Sequence, residues 1–163
     1  LPYYITTPII TKLLEEKLPI KSIVVMVQKE VALRLAAKEG SKDYGAISVL
    51  CRYYTEPTVV TKVPASLFVP PPKVDSAVLK LKIREKPAVD VLDEKMFFKV
   101  VKASFAQRRK TLLNCLCSGF SVPKTQLSSL LESIDILPSR RGETLSIEEF
   151  KKISDVFTNE GIR

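Results

Sequence analysis

Apolar residues along the first half of the chain alternate between two spacings. Ile9, Leu13 and Leu14 recur at helical intervals behind Thr6 or Thr7 as a cap and Pro8 in the first turn. That arrangement predicts a helix over residues 6 to 17. Ser22-Ile23-Val24-Val25-Met26-Val27-Gln28 is a near-continuous apolar run. It predicts a strand buried on both faces, as in a parallel sheet covered by helices. Lys29 to Lys38 returns to the helical period, with Val31, Leu33, Leu35 and Ala36 facing inward. Gly40-Ser41-Lys42-Asp43 reads as a loop, and Tyr44 to Tyr54 as another helix. Pro57 to Val63 is rich in β-branched residues and Ala77 to Arg84 alternates strictly, which predicts an antiparallel pair. The order helix, strand, helix, helix, strand, strand is that of an α/β sheet finished by an antiparallel pair.

The pattern changes at Lys86-Pro87-Ala88-Val89-Asp90, which reads as a linker. Helical periods follow over Glu94 to Gln107, Lys110 to Leu116, Pro123 to Ser133 and Ser146 to Phe157. Ser146 followed by Glu149 is a capping box. Leu137 to Glu143 is the loop between the last two. Two domains are therefore expected, residues 1–86 and 87–163, the second small and all-helical. No internal repeat or low-complexity tract is present.

Between the two paired strands lies Ser66-Leu67-Phe68-Val69-Pro70-Pro71-Pro72-Lys73-Val74-Asp75-Ser76-Ala77-Val78. Three consecutive prolines cannot sit in a helix interior or a central strand, because each lacks an N–H and has a fixed φ. An extended rod therefore follows Phe68 and can hold its ring in one place. The opening Leu1-Pro2-Tyr3-Tyr4 offers a second ring beside a proline. Two rings on stiff loops are what an enzyme needs to clamp a flipped nucleobase. Either ring would serve as well as a hydrophobic plug at a loop end.

Charge adds a partner class. The 163 residues carry a net charge of +8, which suggests an anionic partner, nucleic acid being the usual one. From Phe97 to Leu131 no acidic residue occurs, while Lys99, Lys102, Arg108, Arg109, Lys110 and Lys124 are basic. A helix C-terminus satisfied by cations would explain one or two of these, but not an acid-free stretch of this length. Arg140 and Arg141 add a second basic pair. Lys73, Arg108, Arg109, Lys110, Arg140 and Arg141 are the candidates for phosphate contacts.

Composition removes several chemistries. There is no histidine, so His-based general-base catalysis, Ser-His-Asp triads and most zinc sites are out of reach, and no metal is expected. The cysteines, Cys51, Cys115 and Cys117, are odd in number and lack a framework spacing, which points to reduced thiols and a cytoplasmic setting. None of the five glycines forms a GxGxxG or P-loop pattern, so no phosphate cradle is present. Hydrophobic residues make up 45% and charged residues 27%. No apolar run is long enough to span a bilayer, and a membrane partner is not expected.

The motifs resemble one family throughout. Leu1-Pro2-Tyr3-Tyr4, Val27-Gln28-Lys29-Glu30-Val31-Ala32-Leu33-Arg34, Tyr44-Gly45-Ala46-Ile47-Ser48-Val49 and the Phe68–Val78 block stand in the order found in ribosomal RNA adenine dimethyltransferases of the KsgA type. Ala103-Ser104-Phe105-Ala106-Gln107-Arg108-Arg109-Lys110-Thr111-Leu112 resembles the opening of that family's small helical domain. The resemblance implies a Rossmann-like class I methyltransferase sheet followed by a helical RNA-binding domain. It implies S-adenosylmethionine as cofactor and N6,N6-dimethylation of two adjacent adenines in small-subunit ribosomal RNA, with the pre-ribosomal small subunit as partner. Family members carry a Gly-rich cofactor loop and an Asn or Asp before the Leu-Pro-Tyr. This sequence begins at Leu1, so the expectation is a C-terminal fragment lacking the cofactor-binding half, inactive alone.

By similarity to the family, the Leu1 carbonyl would accept from the adenine amine, Pro2 would fix the turn, Tyr3 would stack on one face of the base and Phe68 on the other. Two rivals stand beside this reading. One is a methyltransferase-fold nucleic-acid-binding factor, which need not keep a base clamp. The other is a large-subunit methyltransferase of the macrolide-resistance type, which the triple proline and Val74-Asp75-Ser76-Ala77-Val78 fit less well.

Overall fold

The protein is described by a computed structural model covering residues 5 to 163. The chain divides into two compact units, one running through Lys38 and resuming over Asp43–Ala88, the other made of Glu39–Lys42 with Val89–Arg163.

The first unit is a three-stranded sheet with helices on one face. Its elements are α1 (Thr6–Glu15), β1 (Ser22–Gln28), α2 (Lys29–Ala36), α3 (Ala46–Tyr54), β2 (Thr55–Val63) and β3 (Ser76–Ile83). The spatial order is β1-β3-β2. β3 runs antiparallel to both neighbours, with Val25 opposite Leu79 on one side and Val59 opposite Leu79 on the other. A register shift between Val59 and Thr61 interrupts the β2–β3 ladder. Alternation decides the buried face: Ile23 and Val27 of β1 and Ala77, Leu79 and Leu81 of β3 are buried. α2 packs against all three strands. Ile10 and Leu14 of α1, Ala32 and Leu35 of α2, and Val49, Cys51 and Tyr53 of α3 complete this core. The Cys51 thiol is pushed up to about 12 by burial, partly opposed by the neighbouring Arg52 charge. It stays neutral and behaves as a small apolar side chain.

Three local expectations from the sequence are corrected. β1 is antiparallel, and only one of its faces is covered: Val24 is 59% exposed and Met26 44%. A run of apolar residues signals low polarity but does not say which face has a neighbour. α2 turns Leu33 outward and buries Ala32 instead, because Ala32, not Leu33, lies a helical step from Leu35 on the sheet side. α1 is capped at Ile5 without a side-chain bond, and Thr6 is buried inside the first turn.

The second unit is helical, with α4 (Glu94–Phe105), α5 (Leu112–Phe120), α6 (Lys124–Ser133) and α7 (Ile147–Asn159). Asp93 caps α4 by accepting from the Lys95 and Met96 N–H groups. Ser146 and Glu149 form the reciprocal capping box of α7. α4 packs against α7 and α5, and α5 against α6. Phe97, Leu112, Leu116, Leu127, Phe150 and Phe157 are fully buried between them. Phe120 meets Phe157 edge-on, with centroids 5.0 Å apart. Such a pair adds about 0.5–1.5 kcal/mol beyond its buried area. Glu39–Lys42 joins this unit through Gly40 N–H donating to Glu143 O at 2.9 Å and Arg108 Nη2 donating to Lys42 O at 2.7 Å.

Candidate functional site

The connection between β2 and β3 carries the candidate site. Pro64 sets φ ahead of a short 3-10 turn, Ala65–Leu67, which closes through Leu67 N–H to Pro64 O and Phe68 N–H to Ala65 O. Phe68 itself is extended, but the expected extended rod does not follow it: the chain bends over residues 68–70 and again at 73–74, and returns so that Ser76 pairs with Val63. The Val69–Pro70 peptide is cis. Asp75 closes the far end: its Oδ1 accepts from the Ala65 N–H at 3.0 Å, and its backbone carbonyl accepts from the Lys29 N–H at 3.0 Å. The segment is therefore tied across its own base and to the start of α2.

Phe68 is half-buried, while its neighbours Leu67 and Val69 are 72% and 99% exposed. Phe68 forms one wall of an open cleft of about 320 Å³, completed by Met26, Val27, Val69, Pro70, Pro72 and Ser76. The walls are apolar and the opening faces solvent, which suits a flat base better than a charged group. A second cleft, of about 450 Å³, is lined by the next residues along two of these segments: Gln28, Lys29 and Glu30, then Lys73, Val74 and Asp75. Apolar walls thus give way to two lysines at the end of β1. Another cleft of about 290 Å³ lies toward the Ile83 end of β3, beside Leu14, Leu18 and Tyr54. It carries none of the predicted site residues.

Leu1, Pro2 and Tyr3 lie outside the described residues. Phe68 and Lys73 are brought onto one loop, each lining one of the paired clefts. Arg108, Arg109 and Lys110 occupy the exposed turn between α4 and α5. Arg108 is bonded to Lys42 O, whereas Arg109 and Lys110 form no ion pair among the described residues. Lys99 of the same acid-free stretch sits 4.6 Å over the Phe120 ring. In the sequence, Met26 figures only as part of the β1 run and Asp75 only as part of the motif ending at Val78. The alternation of β1 could have placed Met26 on the outer face, but nothing in the sequence pairs Asp75 with Ala65.

Arg140 and Arg141, equivalent as charges in the sequence, are separated by the structure. Arg140 gives its guanidinium to Glu149 through a bidentate pair, and to Thr144 Oγ1 and O at 3.2 and 2.6 Å. It clasps the α7 capping box, whereas Arg141 is exposed. Burial alone would raise the Glu149 carboxyl, but the Arg140 bonds, the Ser146 N–H and the Arg140 charge together hold it below its usual 4.5. A carboxyl whose folded value lies below its unfolded one stabilises the fold above the unfolded value and loses that contribution as pH falls through the folded one. Acid titration of the helical unit is therefore expected to show lost stability below about pH 4.5, the carboxylate value it departs from. Glu149→Gln should remove that component of the pH dependence, as read by circular dichroism.

Among the described residues no helix is long and apolar enough to cross a membrane, and no group of three or more Cys, Asp or Glu side chains is placed to hold a metal. Nor do the described residues form a glycine-rich turn between strand and helix of the kind that cradles a nucleotide-like cofactor; Gly40 takes a positive φ in a surface loop and Gly45 precedes α3.

Antiparallel β1-β3-β2 strands and a helical unit are the parts that superpose on solved methyltransferase structures. A family model described as "Ribosomal RNA adenine dimethylase" matches residues 1–159, and the chain belongs to that family. It is 59% identical over 158 residues to ribosomal RNA small subunit methyltransferase A of Bacillus cytotoxicus, covering 95% of this chain and 54% of the relative. The corresponding protein of Bacillus mycoides is 58% identical over the same shares. The chain thus spans about half the length of these curated relatives. The crystal structure of a dimethyladenosine transferase from Plasmodium falciparum superposes with a TM-score of 0.83 at 28% identity, over 99% of this chain and 66% of that one. The 23S rRNA methyltransferase ErmE shares the fold, with a TM-score of 0.68 at 23% identity over 97% and 63%.

Proposed function

We propose that this chain is the target-base and RNA-gripping part of an enzyme that transfers methyl groups from S-adenosylmethionine to N6 of adenines in small-subunit ribosomal RNA. The observation that carries the reading is Phe68, half-exposed on a loop tied at both ends, walling an apolar cleft of about 320 Å³. The cleft accepts an unpaired adenine, and Phe68 stacks on one face of it. Stacking contributes on the order of 1–3 kcal/mol per base, enough to offset much of the cost of leaving a helix. An exocyclic amine is a poor nucleophile because its lone pair is delocalised into the ring. Acceptors at its N–H groups draw that pair back onto nitrogen, and the remaining task is positioning. No histidine base is needed. In this reading the Leu1 carbonyl is one acceptor, Pro2 fixes the turn and Tyr3 covers the second face of the base; these three residues lie outside the described ones. In this reading the described residues supply the substrate side of the site.

The helical unit, residues 87–163 in the domain reading, holds phosphates in this proposal. Arg109, Lys110 and Arg141 are exposed for it, and Lys73 stands at the second cleft. Neutralising one cation that holds a phosphate should flatten the log–log dependence of affinity on salt by about 0.7–0.9. The double change Arg109→Gln, Lys110→Gln is thus expected to weaken binding to all RNA sequences alike and to lower the slope by about 1.4–1.8, measured by filter binding across a salt series. An unchanged slope would move the phosphate-binding surface elsewhere.

The reading is tested by incubating the full-length family enzyme carrying these residues with labelled S-adenosylmethionine and, separately, small- and large-subunit ribosomal RNA. N6,N6-dimethyladenosine in the small-subunit RNA supports it. Product in the large-subunit RNA alone favours the macrolide-resistance type, and RNA binding without product favours a pure binding factor.

A further inference from the structure

We infer that Asp75 is a positioning residue for the Phe68 ring, a role that rests on the reading of Phe68 as the base-stacking group. Asp75 is exposed, and its carboxylate does not serve an ion pair among the described residues. Its Oδ1 is used to accept the Ala65 N–H across ten positions of chain. Ala65 opens the short turn whose closing bond, Phe68 N–H to Ala65 O at 3.2 Å, sets where Phe68 emerges. The path from Asp75 to the ring is therefore two hydrogen bonds long. The backbone of the same residue accepts the Lys29 N–H, which fixes Asp75 against the first residue of α2. Position 75 thus relates the two clefts: it lines one itself and orients the aromatic wall of the other.

The prolines do not make this tie redundant. They stiffen residues 70–72, beyond Phe68, while the Ala65–Leu67 turn before it has exposed or half-exposed side chains and no buried residue. The β2–β3 ladder ends at the Val63–Ser76 pair; beyond it the turn has little packing, and the Asp75 carboxylate bond is the tie that orients it. The role requires an acceptor oxygen and no charge.

The test compares Asp75→Ala, Asp75→Asn and Phe68→Ala in the active full-length enzyme, with hydrogen exchange of the Ala65 amide alongside kinetics. Asp75→Ala is expected to lower kcat roughly 10- to 100-fold through misplacement of the ring, to leave KM for the methyl donor unchanged, and to speed exchange at Ala65. Asp75→Asn keeps Oδ1 and is expected to restore most of kcat and the slow exchange. Asp75→Asn as impaired as Asp75→Ala would overturn the inference, because the charge would then be what matters. Full turnover of Asp75→Ala beside a crippled Phe68→Ala would overturn the positioning role alone. An unimpaired Phe68→Ala enzyme would overturn the stacking reading and this inference with it.

Discussion

Phe68→Ala is expected to lower turnover of the full-length enzyme by roughly 5- to 150-fold, the range that removal of a stacking contribution of about 1–3 kcal/mol converts to. Affinity for the methyl donor should hardly change, because the ring walls the cleft built from Met26, Val27, Val69, Pro70 and Pro72. Thermal stability should change little as well. Phe68 is half-buried, and the residues on either side of it are largely in solvent, so truncation opens no closed cavity of the kind that makes core substitutions costly. Phe68→Leu separates stacking from simple apolar contact. It keeps volume and hydrophobicity and removes the π-face, so it should stay close to Phe68→Ala in rate, while Phe68→Tyr should stay close to the parent. A melting temperature that falls together with the rate would instead make Phe68 a structural plug.

Gly142→Ala is expected to destabilise the helical unit although it adds only one methyl group. A Cβ at this position would lie 2.5 Å from the Ser104 carbonyl oxygen and 3.1 Å from its Cβ. The obstacle is the backbone of α4, which cannot move aside as a flexible side chain would. Gly142 is buried, and its turn runs directly into the Arg140–Glu149 clasp at the start of α7. Displacing it therefore loosens both the α4 contact and the cap. Overpacking of this kind costs roughly 1–3 kcal/mol, which for a domain of this size lowers the melting temperature by about 4–8 °C per kcal/mol. Calorimetry on the purified chain measures it. An unshifted melting temperature would mean that the turn does not press on Ser104 as described.

Much of the fold could be read where local chemistry is self-sufficient. The strict alternation of Ala77–Ile83 marked a strand with one buried face, and Ser146 with Glu149 marked the start of α7 to the residue. Reading failed where the outcome depends on a neighbour. Val24 and Met26 are as apolar as Val27, yet only Val27 has a helix over it. α5 extends to Phe120, past the expected end at Leu116, because Gly119 is not a breaker there; its missing Cβ lets the helix approach Ala103. The candidate site shows the same division. Three prolines pointed to a held ring at Phe68. The bond inferred to position it spans from Asp75 to Ala65, and a sequence carries no sign of such a pair. Arg140 and Arg141 count equally as charge, and only the position of Glu149 distinguishes the clasp from the exposed cation.

The central claim is that an unpaired adenine stacks on the side chain at position 68. The chain contains no tryptophan, so the Phe68→Trp variant carries a single indole on the wall of the cleft. Its emission, followed while a short RNA with unpaired adenines is titrated in, should be quenched saturably, as expected for an indole stacked on a base. The same RNA with those adenines in a closed duplex should bind through phosphates and leave the emission unchanged. Binding of the unpaired-adenine RNA with no change in emission would contradict the account.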